Sequence, residues 1–254
     1  MKISVLSSGS SGNCFYVENE NCAVLIDAGI SAKQIVDRLN YIGEDVRKVK
    51  AVFITHEHTD HIKGVDVFSR KFSVPVFATR KTIEDSSLRF CENIKSIKSD
   101  QKLKFGKVTV EAFSKSHKAA EPVSYNLVNG KKISIITDAG YFCENISKNV
   151  RECDFLCIES NYDEEMLDTG PYPFFLRKWI RSNEGHLSNL QTALGILENG
   201  TPKLKNILLC HLSQNNNTPE KAVQTFKDIT KERYDLKFNL GVSERDRPTE
   251  IFEL

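Results

Sequence analysis

Nowhere in this sequence do about 18 apolar residues run together, the length a membrane-spanning helix needs, and the opening MKISVLSSGS lacks the apolar core and cleavage site of a secretory leader. Membrane insertion and export are therefore not expected; a soluble cytoplasmic protein is. Net charge is almost absent as well: 35 Lys and Arg against 34 Asp and Glu leave +1, which excludes a global electrostatic attraction to nucleic acid or anionic lipid. The seven cysteines are odd in number and contain no CxxC pair, so they fit reduced, small apolar residues rather than a disulfide framework. Proline-rich linkers, low-complexity tracts and internal repeats are also missing, and a single domain over residues 1–254 is expected.

What the chain does have is a succession of short strand-forming runs with helices between them. KISVL (2–6), CFYVE (14–18), CAVLID (22–27), VKAVFIT (49–55), VPVFA and KVTVEAF form a first series. VSYNLV, KISIIT (132–137), DFLCIES (154–160), NILLC (206–210) and a late PTEIFEL form a second. Ile35, Leu39 and Ile42 recur at helical spacing behind Ser31 as N-cap, and Gly43 closes that helix. Thr218 and Pro219 open another. Helices over 190–197 place Leu190, Leu194 and Leu197 on one face, the expected core side. Strands partly consecutive and partly separated by helices predict an α+β fold, two mixed sheets face to face with helices outside.

The segment THEHTDHIKG puts three of the six histidines and two carboxylates into six consecutive residues after an apolar strand. Along an extended backbone His56, His58 and Asp60 share a side, while His61 aims elsewhere, a pattern better suited to two neighbouring metal sites than to one. A polar turn with unliganded histidines is the plainer alternative. Further donors stand where such a cluster would need them. His117 follows the strand ending at Phe113, His211 follows NILLC, and Asp138 follows ISIIT, where a carboxylate can bridge two cations. Structural zinc is complete with four donors, so a set this large points to catalysis.

HEHTDH, SH at 116–117, TDAG at 137–140 and CHLS at 210–213 together resemble the metallo-β-lactamase superfamily, as does LIDAG at 25–29. The resemblance implies an αββα sandwich with a two-metal site. It assigns His56, His58 and His117 to one ion, Asp60, His61 and His211 to the other, and Asp138 to both. Asp27 matches the carboxylate that orients ligands from behind. His58 stands where flavodiiron relatives have a carboxylate, which implies a zinc- or manganese-dependent hydrolase instead of redox iron. Asp60 would orient the attacking hydroxide. Lys118 follows His117 where the pattern has Asp, so the hydrogen-bond partner of His117 is left open.

LSSGSSGNCFYVE, CIESNYDEEML, GPYPFFLRKWI, GHLSN and HLSQNNN are similar to the WalJ/YycJ subfamily, described as DNA exonucleases acting from the 5′ end and connected with mismatch repair. Nuclease branches carry a Gly-His segment before the last metal histidine, which implies His186 as proton donor to the leaving oxygen. For the substrate, backbone N–H groups at Ser188 and Asn189 would face a phosphate at a helix start. Arg177, Lys178 and Arg181 would meet a terminal phosphate. Ser10 and Asn13 of SSGSSGN either donate to a phosphate or form a tight turn. Between Arg70 and Lys118 twelve Lys and Arg face five Asp and Glu, either a basic rim for a nucleic acid or a solvated helix face. The implied partner is nucleic acid, DNA foremost, with two divalent ions as cofactors. An RNA-processing nuclease or a small-molecule ester or thioester hydrolase would use the same site.

Overall fold

The computed structural model describes residues 1–254. The chain begins with β1 (Lys2–Ser7), β2 (Cys14–Asn19), β3 (Cys22–Ile26), α1 (Ala32–Tyr41), β4 (Val49–Phe53), α2 (Thr59–Ile62) and α3 (Val65–Phe72). It continues through β5 (Val76–Thr79), α4 (Arg80–Glu84), β6 (Ile94–Ile97), β7 (Lys102–Phe105), β8 (Val108–Ser114), β9 (Val123–Asn129), β10 (Lys131–Ile136) and α5 (Glu144–Glu152). β11 (Phe155–Glu159), α6 (Glu164–Thr169), α7 (Phe174–Ile180), α8 (Asn189–Asn199), β12 (Asn206–Cys210), α9 (Pro219–Thr230), β13 (Asn239–Val242) and β14 (Phe252–Glu253) complete it. The strands make two seven-stranded sheets, in the orders β14-β1-β2-β3-β4-β5-β6 and β13-β12-β11-β10-β9-β8-β7. Both are mixed, as expected. No helix is long and apolar enough to cross a membrane, and all seven cysteines are free thiols.

No linker marks it, yet the chain divides into two compact units that interleave along the sequence. The first comprises Met1–Ser114, Ala119–Gly130 and Ser243–Leu254; the second comprises Lys115–Lys118 and Lys131–Val242.

In the first unit β1, β2 and β3 are antiparallel, whereas β3, β4, β5 and β6 run parallel. Alternation along these strands sends residues to two faces. Leu25 and Val52 join Ile35, Leu39, Val65 and Phe68 of α1 and α3 in one buried cluster. Phe53 points the other way, meeting Phe105 of β7 at 5.4 Å and Tyr125 of β9 at 5.5 Å. That aromatic contact sets β4 face to face with the antiparallel β7 to β9 meander. α1 starts as its sequence predicts, with a reciprocal capping box between Ser31 and Gln34.

The second unit carries β10, β11, β12 and β13, all parallel. Its central strands are buried on both faces, which is why ISII, FLCI and ILLC are continuous apolar runs rather than alternating ones. One expectation fails here. Leu190 and Leu194 of α8 are 39% and 38% exposed, and the core side of that helix is Thr192, Ala193 and Ile196. Two faces of α8 carry apolar residues, and periodicity does not say which one packs. Short β6, β7 and β13 escaped the sequence reading because their exposed lysines, asparagine and glycine dilute the strand pattern.

Candidate metal centre

In the first unit, the parallel strands β3 and β4 end side by side and deliver their next residues to one spot. Asp27 follows β3 with φ 60°, a left-handed backbone that turns its carboxylate inward. Asp27 is fully buried and accepts from the backbone N–H of Thr55 at 2.8 Å and from its hydroxyl at 2.9 Å. It also accepts from Nδ1 of His61 at 2.7 Å, and Nε2 of that ring lies 3.2 Å from the Asn13 amide nitrogen. The Thr55 hydroxyl lies 3.0 Å from Nδ1 of His56. His56 then presents Nε2, 2.9 Å from Nδ1 of His58, so two imidazole nitrogens converge on one point. Asp27 thus bonds both Thr55 and His61, and Thr55 reaches His56, a contact with no signal in the local sequence.

Asp60 and His61 lie on α2, which is only four residues long. Their position depends on a close crossing with the loops after β1 and β3. The N–H of Asn13 donates to the Asp60 carbonyl at 2.7 Å, and the N–H of Ala28 to the His61 carbonyl at 2.9 Å. Gly29 is required at this crossing, because a Cβ there would sit 1.7 Å from the Asp60 carbonyl oxygen. Asn13 is fully buried, and its amide donates to Oδ2 of Asp60 at 3.2 Å. Asn13 thus holds Asp60 from within the fold, whereas Ser10 remains exposed in the Gly9–Gly12 turn. Glu57 turns away from the histidines, accepting from Ala120 N–H at 2.7 Å and so anchoring the loop.

In the second unit, β10, β11 and β12 likewise end together. Asp138 after β10 and His211 after β12 have φ of 52° and 56°, so each strand-end donor adopts the left-handed turn seen at Asp27. Between them β11 ends in Glu159, fully buried and absent from the residues expected at the site. Its Oε1 accepts from Nδ1 of His186 and Nδ1 of His211, both at 2.8 Å. Oε2 accepts from the N–H of Ala139 at 2.8 Å and of Leu187 at 3.1 Å. Burial opposes a charge on Glu159, but the two imidazoles outweigh it and hold the carboxyl at about 2. Asp138, Glu159, His186 and His211 each offer a ligand atom within 4.8 Å of the others. Glu159 had a signal: like Asp138 and His211, it ends an apolar strand.

His117 donates Nδ1–H to the Gly185 carbonyl at 3.0 Å, the partner the sequence left open. Its Nε2 lies 4.0 Å from Oδ1 of Asp138. Burial pushes this imidazole down to about 3, so it is neutral near pH 7. His186 is partly exposed, its ring 5.2 Å from that of His117 and edge-on to Trp179 at 5.6 Å.

The expected substrate contacts fare differently. Ser188 is buried, and its hydroxyl caps α8 by accepting from Gln191 N–H in a capping box. Asn189 is buried too, with its amide committed to Ser160 and Asn217. The backbone N–H groups expected to face a phosphate are bonded within the fold, that of Ser188 to Oε1 of Gln191 at 2.9 Å and that of Asn189 to the Tyr162 carbonyl at 2.8 Å. Arg181 is held by Glu164 at 3.1 Å and Asp168 at 2.8 Å, and Arg177 bonds the Asp168 carbonyl, so carboxylates of α6 neutralise part of that basic group. Lys178 is exposed. In the basic 70–118 stretch, Arg70, Arg80, Lys102 and Lys107 pair with Asp66, Glu84, Glu111 and Glu20, which weakens the case for a continuous rim.

Residues 23–234 match the model of the β-lactamase superfamily domain. The chain is 36% identical to exodeoxyribonuclease YycJ of Bacillus anthracis, over 92% of this chain and 90% of that protein. It is 36% identical to exodeoxyribonuclease WalJ of Streptococcus pneumoniae over 88% and 86%. Among solved structures, the metallo-β-lactamase fold protein YhfI of Bacillus subtilis superposes with a TM-score of 0.74 at 15% identity, covering 98% of both chains.

Proposed function

The chain belongs to the β-lactamase superfamily and is a metal-dependent hydrolase, and from that premise we propose that it is a phosphodiesterase that shortens DNA from a 5′ end. The observation that carries the reading is a histidine beyond those needed as ligands: His186, held through Nδ1 by the buried Glu159. A phosphodiester with an alkoxide leaving group needs such a proton donor, whereas many activated esters do not. The similarity to two exodeoxyribonucleases along nearly the whole chain supports DNA as the polymer.

We assign His56, His58 and His117 to one divalent cation and Asp60, His61 and His211 to a second, with Asp138 serving both. The residues fit this task chemically, since Asp27 and Glu159 each fix a histidine so that Nε2 is the outward atom, and His117 is held neutral. Bound cations supply Lewis acidity, lowering the pKa of a water and offsetting charge on the phosphate. Asp60, steadied by Asn13, orients the attacking water. His186 presents Nε2 to the leaving oxygen and gives it a proton, while Glu159 stabilises the ring as its charge changes.

The test uses purified protein with manganese or zinc on DNA and RNA labelled separately at each end, single- and double-stranded. Early release of the 5′ label from DNA is expected, with fragments that keep the 3′ label shortening over time, faster with a 5′ phosphate. Release from the 3′ label first, nicking of circular DNA, or cleavage confined to RNA would overturn the reading, each pointing to a different enzyme.

A further inference from the structure

Helix α7 carries two aromatic rings that the fold does not use. The small core around Tyr162, Leu167 and Ile180 takes in Tyr172, Leu176 and Trp179. Phe174 and Phe175, in the same stretch, stay 73% and 74% exposed. Leaving two adjacent phenylalanines in water forgoes a contribution that burial would supply, so a role outside folding is the economical account of them.

Their position narrows that role. Phe175 and Trp179 are four residues apart and share a helix face, separated by one turn or about 6 Å of rise. Trp179 in turn meets the His186 ring at 5.6 Å. The exposed rings therefore stand within a few stacked nucleotides of the proposed proton donor, at about 3.4 Å per base step. Lys178, exposed and four residues from Phe174, adds a cation on that flank. A protein partner suits the patch poorly. Two rings at about 150–250 Å² each, three-quarters exposed, offer roughly 300 Å², against the ~800 Å² per partner of a stable interface. A ring face does match a nucleobase, and aromatics interleaved with cations are the usual platform for single strands.

We propose that Phe174 and Phe175 are a stacking platform for an unpaired or terminal base of the DNA substrate, an inference that rests on the phosphodiesterase reading above. Inside a duplex both faces of a base are already stacked. Only an end or an unpaired strand offers an open face, so the platform selects ends over internal sites.

The experiment compares wild-type protein with Phe174→Leu, Phe175→Leu and the double variant, loaded with manganese. Substrates are a 5′-phosphorylated single strand and the same strand with abasic residues at its first positions. Leucine keeps apolar bulk but has no π face, and at these exposed positions it does not threaten folding. The double variant should raise KM for the normal strand by about five- to a hundred-fold, the range for loss of a base–aromatic stack. Abasic residues should cost the wild type a similar factor and the double variant little more, since both changes remove one interaction. Unchanged KM in the leucine variants, or two losses that multiply independently, would overturn the platform while leaving the nuclease assignment in place. A change in sedimentation of the double variant would identify a contact between copies instead. Wild-type protein that cuts no DNA with either metal would defeat the nuclease reading, and the platform with it.

Discussion

The carboxylate of Glu159 receives the Nδ1 hydrogen of His186 at 2.8 Å, and this contact decides which ring nitrogen faces outward. Glu159→Gln keeps an acceptor but removes the charge that supports a protonated ring. Turnover should fall about 10- to 100-fold, the usual cost of losing a partner behind a functional imidazole. His186→Ala should cost about two to four orders of magnitude while bound metal, measured by atomic emission, is unchanged. Metal loss in His186→Ala would make that residue a ligand rather than an acid.

His58→Ala should remove one of two cations and abolish hydrolysis without unfolding the chain. His58 is partly exposed at the start of α2, whereas the bonds among Asp27, Thr55 and His61 behind it are buried and do not use its side chain. A wild-type protein that binds a single ion, with Asp138→Ala leaving that ion in place, would contradict the two-metal assignment.

Gly29→Ala should be among the most damaging single-methyl additions. The new Cβ would overlap the Asp60 carbonyl, and either that crossing opens or the chain loses on the order of 3 kcal/mol. Thermal unfolding and metal content should fall together, because the same crossing positions Asp60 and His61. Retained stability with retained metal would show that the loop can yield without cost.

Acid stability should depend on Asp154. Its carboxylate is buried at the start of β11, and burial would raise its pKa, but the N–H of Lys132 with the ammonium groups of Lys131 and Lys203 brings it below the ordinary carboxylate value. A carboxyl depressed on folding contributes stability that is full above its unfolded pKa of about 3.9. That contribution is lost as pH falls through the lower folded value. Asp154→Asn should lose about 1–2 kcal/mol at neutral pH, and the difference from wild type should shrink in denaturant titrations below about pH 4. A difference constant with pH would mean that packing, not charge, is what Asp154 supplies.

The sequence by itself determined most of the strands and most of the candidate donors. A run such as ISII or ILLC buries both faces of a parallel strand, and a polar residue one or two positions after it is left at the strand's mouth, so Asp138 and His211 follow from local pattern. Applied once more, to FLCI, the same rule reaches Glu159. Helix starts are equally local: Ser31 and Ser188 both precede a glutamine at the capping-box position.

Only the tertiary structure decided what each donor leans on. The Gly185 carbonyl that fixes His117 is 68 residues away, and the Asn13 amide beside Asp60 is 47 residues away. It also decided which face of α8 packs, and that α6 takes up Arg177 and Arg181 of the three cations in and after α7. Strand and cap formation depends on neighbours in the chain, with periods of two or about four residues that a sequence displays. Ring orientation and charge pairing depend on which distant segments the packed core brings into contact, and nothing in a residue's own neighbourhood records that.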